Sequence, residues 1–222
     1  MSGGLVYGFD PGKDGAGVCI DLDTGALRWL LCWQASVTSK KRAGYPVWFS
    51  SAPTEANELH EGRCVETKQR CMEQVLHTLV HTDDCDEDQP PNVVIEGLFI
   101  APGPGVKGKQ DSEGNTRLPL YESPGALQAT ITLALGMDAP VAAWRPLANV
   151  WRRELGIRTH PADAAELEAV ARARPALEAF GFFKDAHVRH HGPRLHVNSI
   201  GAVSEALCMA RWLRARLLAG RS

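Results

Sequence analysis

The segment LVYGFDPG at residues 5–12 determines the fold that this sequence predicts. A short apolar run that closes on Pro-Gly is typical of a β-strand followed by a turn. Two further apolar runs follow at 16–22 and 27–33, and the turn signal Asp-Thr-Gly at 23–25 separates them. Three strands with connections this short predict an antiparallel meander.

Strand and helix patterns alternate after the meander. Apolar residues recur with a helical period between 55 and 81, and NVVIEGLFI at 92–100 has the composition of a buried strand. The remaining patterns predict a short strand at 139–144 and helices at 124–136, 146–155, 161–180 and 199–218. This order predicts a single α/β domain over residues 1–222, in which helices flank a central mixed five-stranded sheet.

The composition is that of a soluble globular protein, with 44% hydrophobic and 23% charged residues in a chain of 222. No apolar run approaches the ~20 residues of a membrane span. The N-terminus lacks a basic region followed by an apolar stretch, and the six cysteines form no C-x-x-C pair. We therefore expect a cytoplasmic protein with reduced thiols and no membrane partner.

The charge is unevenly distributed along the chain, although the formal net charge is only −2. Residues 1–138 have 11 basic against 19 acidic side chains, whereas residues 139–222 have 13 against 7, and 12 of those 13 are arginine. Five of the acids lie in the tract 83–88, which is typical of a solvated loop. The Arg-rich second part of the chain therefore leaves a nucleic-acid partner open.

Three acids stand alone in apolar surroundings. Asp10 ends the first predicted strand, Glu96 lies inside the apolar run at 92–100, and Glu205 lies among apolar residues of the last predicted helix. A buried carboxylate is costly without a counter-charge. Arginine side chains could supply that charge, or the carboxylates could hold divalent metal. Mg²⁺ prefers carboxylate oxygens, and two such ions can flank a phosphodiester.

The motifs around these acids resemble those of the RuvC-type Holliday junction resolvases, particularly phage-encoded or otherwise divergent members. The resemblance rests on GFDPG at 8–12, IEGLFI at 95–100 and SEAL at 204–207. It implies a ribonuclease H-like fold, Mg²⁺ or Mn²⁺ held by carboxylates, and a homodimer that acts on four-way DNA junctions. It also implies crossover junction endodeoxyribonuclease activity in the cytoplasm of a bacterial or phage-infected cell, in association with the nucleoid.

The resemblance assigns roles to individual residues. Asp10 and Glu96 match the first two metal ligands, Glu205 matches the last, and Phe99 matches an aromatic residue that probes junction bases. Core packing at the strand end is the alternative for Phe99. The expected phosphate contacts are Lys107, Lys109 and Arg117 in the long loop 101–122, together with Arg145, Arg152 and Arg153 after the fifth strand. The helix that begins at 124 resembles the family's dimer-facing helix, and packing against the sheet is its alternative.

The sequence departs from the family at one point. A further acid or histidine usually precedes the last ligand by three or four residues, and these positions are Ala202 and Gly201 here. Asn198, His196 or Asp185 could substitute. Otherwise a second metal ion is weakly held, or the protein binds junctions without cutting them.

A different class of enzyme shares part of the first motif. Asp-Pro-Gly-Lys-Asp-Gly at 10–15 also resembles the first phosphate loop of actin-like and sugar-kinase-like ATP phosphotransferases. That fold needs two domains that close over the nucleotide, and this chain is the length of one. The junction endonuclease is therefore the leading hypothesis.

Overall fold

The structure is a computed structural model that describes residues 4–12, 15–33, 45–51, 60–64, 68–82, 90–97, 124–182 and 197–220. Its strands are β1 (Leu5–Asp10), β2 (Gly15–Asp21), β3 (Leu27–Trp33), β4 (Tyr45–Ser51), β5 (His60–Cys64), β6 (Asn92–Ile95) and β7 (Ala143–Trp144). Its helices are α1 (Lys68–Thr82), α2 (124–134), α3 (Ala148–Glu154), α4 (Ala162–Ala179) and α5 (Val197–Ala219). None of these helices is both long and apolar enough to cross a membrane.

The strands form one mixed sheet in the order β5-β4-β3-β2-β1-β6-β7. Strands β1 to β5 pair antiparallel in succession, whereas β6 lies parallel to β1 and β7 lies parallel to β6. The predicted α/β class, a mixed sheet flanked by helices, is confirmed, although the described sheet has seven strands where five were predicted. The five predicted strands are neighbours within this sheet, and β4 and β5 extend it beyond β3.

The predicted helix at 55–81 is wrong in its first part. The chain forms β5 at His60–Cys64 and enters α1 only at Lys68. The strand β4 was not predicted, and it provides the edge against which β5 pairs, with Trp48 opposite Glu61. Pairing of β5 with the preceding strand β4 overrode the helical spacing, which is a common way for local patterns to fail.

The apolar residues form two layers, one on each face of the sheet. One layer packs against α3, α4 and α5, and the other packs against α1 and α2. Strand β1 serves both layers because its side chains alternate between the faces. Val6 belongs to the α5 layer, whereas Tyr7 and Phe9 belong to the opposite layer. By the same alternation, Asp10 shares the α5 face with Val6.

Helix α5 lies directly against β1, and Gly8 permits this close approach. A Cβ atom on Gly8 would lie 2.9 Å from the backbone nitrogen of Ala210 and would collide with the carbonyl oxygen of Ala206. The absent side chain therefore lets the helix backbone contact the strand backbone. This contact sets the distance between α5 and β1, and it positions the helix beside the carboxyl ends of β1 and β6.

Candidate active site

Asp10 and Glu96 lie side by side because their strands are parallel neighbours. Phe9 pairs with Ile95 in the register of β1 and β6, and the backbone N–H of Glu96 donates to the carbonyl oxygen of Phe9 over 3.0 Å. The two acids are the next residues along their strands. Both therefore emerge at the same edge of the sheet, on the face covered by α5.

Asp10 lies in surroundings that strongly disfavour its charged form. Burial raises its pKa well above the usual value, and repulsion from Glu96 and Glu205 raises it further. A hydrogen bond from the Gly12 N–H, 3.0 Å from Oδ1, and the positive charge of Arg152 oppose this rise in pKa. The three acids predicted from the sequence therefore interact electrostatically in the folded chain.

Glu96 is held by the indole of Trp151 in α3. The ring nitrogen donates to Oε1 of Glu96 over 3.0 Å, and the indole is fully buried. Burial and repulsion from Glu205 raise the pKa of Glu96 to about 7, against the opposing effects of Trp151 and Arg152. A carboxylate with this pKa changes its charge near neutral pH unless a cation binds beside it.

Glu205 is paired with Arg152 in an ion pair at the centre of the site. The guanidinium donates to Oε1 of Glu205, and the two side chains are only 15% and 12% exposed. Burial raises the pKa of Glu205, and Arg152 lowers it in part. The arginine counter-charge considered from the sequence is therefore realised at Glu205, and Arg152 also lies near enough to influence Asp10 and Glu96.

The three acids have the donor atoms of a divalent-cation site but not its arrangement. Among the described ranges, no group of three or more His, Cys, Asp and Glu side chains could hold a metal ion in the observed arrangement. The donor chemistry does fit, because hard cations prefer carboxylate oxygens. In addition, Arg152 Nε and Ser204 Oγ beside Glu205 are buried without a hydrogen-bond partner. Glu205 would have to leave Arg152 for all three carboxylates to share an ion.

Three of the predicted DNA contacts, Arg145, Arg152 and Arg153, lie among the described residues. Arg145 and Arg153 are exposed, and Arg145 donates to Oε1 of Gln128, whereas Arg152 points inward to Glu205. Asn198 belongs to α5, but its side chain is not described. Outside the described residues lie Phe99, Lys107, Lys109, Arg117, Asp185, His196 and the acidic tract 83–88.

Trp151 is the site residue that sequence reasoning missed. It stands between Leu147 and Leu155 at intervals of four residues, a spacing that turns all three toward the same side of a short helix. A buried indole usually needs an acceptor for its N–H. The need of this indole for an acceptor, together with the isolated acid Glu96, was the sequence feature that could have indicated their pairing.

Comparison with known proteins gives a distant likeness. No protein-family model matches the sequence, and no curated protein matches it. Among solved structures, the chain is similar to T. thermophilus RuvC in complex with a Holliday junction substrate, with 14% sequence identity, 96% of each chain covered and a TM-score of 0.37. The roles of individual residues therefore rest on the geometry of this chain.

Proposed function

We propose that this protein is a metal-dependent, structure-selective DNA endonuclease that resolves four-way junctions by paired phosphodiester hydrolysis. The supporting observation is the meeting of Asp10, Glu96 and Glu205 from three separate elements in one buried, mutually repelling cluster. Such a cluster lowers the stability of the fold unless cations compensate it. Strongly perturbed carboxylates of this kind are typical of functional sites.

The three carboxylates are the proposed ligands of Mg²⁺ or Mn²⁺. When bound, such an ion activates water and stabilises the oxygens that develop charge during phosphodiester hydrolysis. The surrounding residues orient the ligands. The Gly12 N–H fixes one oxygen of Asp10, and Trp151 fixes one oxygen of Glu96.

The proposed DNA surface joins the exposed arginines Arg145 and Arg153 to the basic residues of the loop 101–122. Paired cleavage requires two sites related by a two-fold axis, which a homodimer supplies. Helix α2 is the proposed dimer surface, and Leu133 on it is 54% exposed. A cytoplasmic, nucleoid-associated location is part of the same proposal.

A second candidate function is junction binding without cleavage. Two observations favour it. Arg152 forms an ion pair with Glu205, and no three acids among the described residues are arranged to hold a metal ion. In that case the guanidinium is a permanent counter-charge, and the cluster is a structural remnant of a nuclease site.

The deciding experiment combines cleavage of a mobile four-way junction in Mg²⁺ with a gel shift on the same DNA. The proposed nuclease cuts the junction, Asp10→Asn binds it without cutting, and the matched control Asp138→Asn, an exposed acid, cuts normally. Binding without cleavage by the native protein supports the second candidate. Neither binding nor cleavage contradicts both candidates.

A further inference from the structure

Trp144 is the large aromatic side chain that is exposed in the part of the protein that the structure describes. Its side chain is 46% exposed, whereas burial is nearly complete for Trp29, Trp33, Trp151 and Trp212. Trp144 ends β7, the strand at one edge of the described sheet. Because tryptophan combines a large apolar ring with a polar N–H, it is enriched on surfaces that bind a partner.

Trp144 lies on the same face of the sheet as the acid cluster. It pairs with Val94 in the register of β6 and β7, and Val94 packs in the layer against α5. Glu96 comes two residues after Val94, so its side chain points to the same face. Since neighbouring strands lie about 5 Å apart and two residues of a strand span about 7 Å, the backbones of Trp144 and Glu96 are on the order of 8 Å apart.

Contacts with α5 restrict the orientation of the Trp144 ring. The ring meets Trp212 edge to face, with 6.2 Å between the centroids, and the guanidinium of Arg216 lies 5.9 Å from the Trp144 centroid. Glu154 anchors both partners, because it accepts from the Trp212 ring nitrogen over 2.8 Å and from Arg216 over 2.6 Å. Nearly half of the Trp144 surface remains open to solvent despite these contacts. The protein therefore presents this aromatic surface in a fixed position.

The charge around Trp144 is positive. Arg216 is compensated by Glu154, but the exposed Arg145 and Arg153 form no ion pair within the described ranges. Arg145 directly follows Trp144, and it donates to a neutral amide oxygen. An exposed ring with uncompensated arginines nearby suits a ligand that is both flat and anionic, and nucleotides of a single strand have these two properties.

A second copy of the chain fits this edge less well. A two-fold interface brings the same surface of each copy together. The arginines beside Trp144 would then face arginines of the same sign. The described strand β7 is also only two residues long, which gives a partner strand little backbone to pair with.

We propose that Trp144 stacks against an unpaired base of branched DNA, while Arg145 and Arg153 attract the adjoining phosphates. This inference rests on the proposed function, because that function brings unpaired bases at a branch point to the acid cluster. Every base has a face that can stack on an aromatic ring. The bases of an intact duplex already stack on one another, so Trp144 distinguishes branched or single-stranded DNA from duplex.

The test is fluorescence anisotropy of the full-length protein with a labelled single strand, a four-way junction and an unbranched duplex, in chelator so that no DNA is cut. Trp144→Leu keeps an apolar side chain without the ring. It should weaken binding to the single strand and the junction by about fivefold or more and leave duplex affinity unchanged. Trp144→Phe keeps a ring and should retain most of the affinity. Leu167→Ala is the matched control, since Leu167 is an apolar residue of α4 that is 70% exposed, and it should bind all three DNAs normally.

A second measurement reports the stacking itself. The base analogue 2-aminopurine loses fluorescence when it stacks on an aromatic ring. At saturating protein, the native chain and Trp144→Phe should quench 2-aminopurine placed in the single strand, and Trp144→Leu should quench it less. Thermal melting of each variant shows that it is folded.

The outcomes separate this inference from the proposed function. Native affinity and native quenching in Trp144→Leu, beside junction cleavage by the native protein in Mg²⁺, overturn the role of Trp144 and leave the proposed function standing. An equal loss of affinity for duplex and single strand also overturns it, because the ring would then act through the fold. Loss of a native dimer in Trp144→Leu, with unchanged DNA affinity, assigns this edge to a second copy instead. Absence of all DNA binding by the native protein overturns both proposals.

Discussion

The indole nitrogen of Trp151 and Oε1 of Glu96 are joined by a hydrogen bond of 3.0 Å. This contact connects α3 to the carboxyl end of β6. A second contact strengthens the connection, because the N–H of Gly97 donates to the carbonyl oxygen of Pro146 over 2.7 Å. The position of the Glu96 carboxylate is therefore set both by its own strand and by the helix that follows β7.

Removing the indole N–H should disturb Glu96 without emptying the core. In Trp151→Phe the carboxylate loses its donor and most of the ring packing remains. We expect a loss of about 1–3 kcal/mol in the free energy of unfolding, measured by urea titration, and a large fall in junction cleavage. Trp212→Phe is the matched control, because its indole also donates to a carboxylate, that of Glu154. Equal loss of cleavage in both variants would show that Trp151 acts only through general packing.

The raised pKa of Glu96 predicts a specific dependence of stability on pH. The pKa rises from 4.5 to about 7 on folding, so between these values the folded chain binds a proton that the unfolded chain releases. Stability from this group is complete below pH 4.5 and is lost as pH rises through 7. Glu96→Gln cannot ionise. At pH 8 with chelator it should therefore be more stable than the native protein by roughly 3–4 kcal/mol, since each pKa unit corresponds to ~1.4 kcal/mol.

A control of opposite sign is available at Glu154. Hydrogen bonds from Trp212 and Arg216 lower the pKa of this exposed carboxyl, so its contribution to stability is present at neutral pH and lost on acidification. Glu154→Gln should be less stable than the native protein at pH 8.

The stability difference between Glu96→Gln and the native protein should vanish by pH 4 in urea titrations. A difference that is independent of pH would contradict the burial of Glu96 as its cause.

Two adjacent arginines should respond differently to DNA and salt. Arg153 is exposed, whereas Arg152 faces Glu205. Because each neutralised phosphate contributes a slope of about −0.9 in log affinity against log salt, Arg153→Ala should flatten that slope by about one such unit. Arg152→Ala should leave the slope nearly unchanged and lower the free energy of unfolding instead. Binding titrations at several salt concentrations and urea unfolding measure both effects. If Arg152→Ala flattened the salt slope and Arg153→Ala did not, Arg152 would be the residue that contacts DNA.

The contact between β1 and α5 can be tested at Gly8. Gly8→Ala adds a methyl group that collides with α5 at Ala206 and Ala210, and overpacking of this kind costs about 1–3 kcal/mol or more. Gly125→Ala in α2 is the matched control, since nothing lies within 4 Å of its added Cβ. That change should be neutral or stabilising by up to ~1 kcal/mol. Thermal melting of both variants checks the prediction, and a native melting temperature for Gly8→Ala would contradict the contact.

The sequence predicted the parts of the molecule that follow from local pattern. The apolar run that closes on Pro-Gly in LVYGFDPG and the apolar run around Glu96 were sufficient to predict two strands, each with one acid. Strands β4 and β5 were not predicted because they form by pairing with neighbouring strands, which the local sequence pattern does not show. The sequence also did not predict that Arg152 points inward to Glu205 while the adjacent Arg153 is exposed. The rotation of α3 is set by packing against the sheet, and neighbouring residues in a helix point in different directions.

The distribution of the acids along the chain has a consequence for biosynthesis. Asp10 and Glu96 are translated before Glu205, and α5 leaves the ribosome only after every described strand of the sheet. The sheet face around Gly8 therefore stays uncovered while the chain is being made, and amino-terminal parts of proteins generally fold first. Ribosome-bound chains that stop at residue 182 should expose apolar surface to a dye such as ANS and cleave no DNA. The cluster of Asp10, Glu96 and Glu205 is therefore incomplete until α5 has been made.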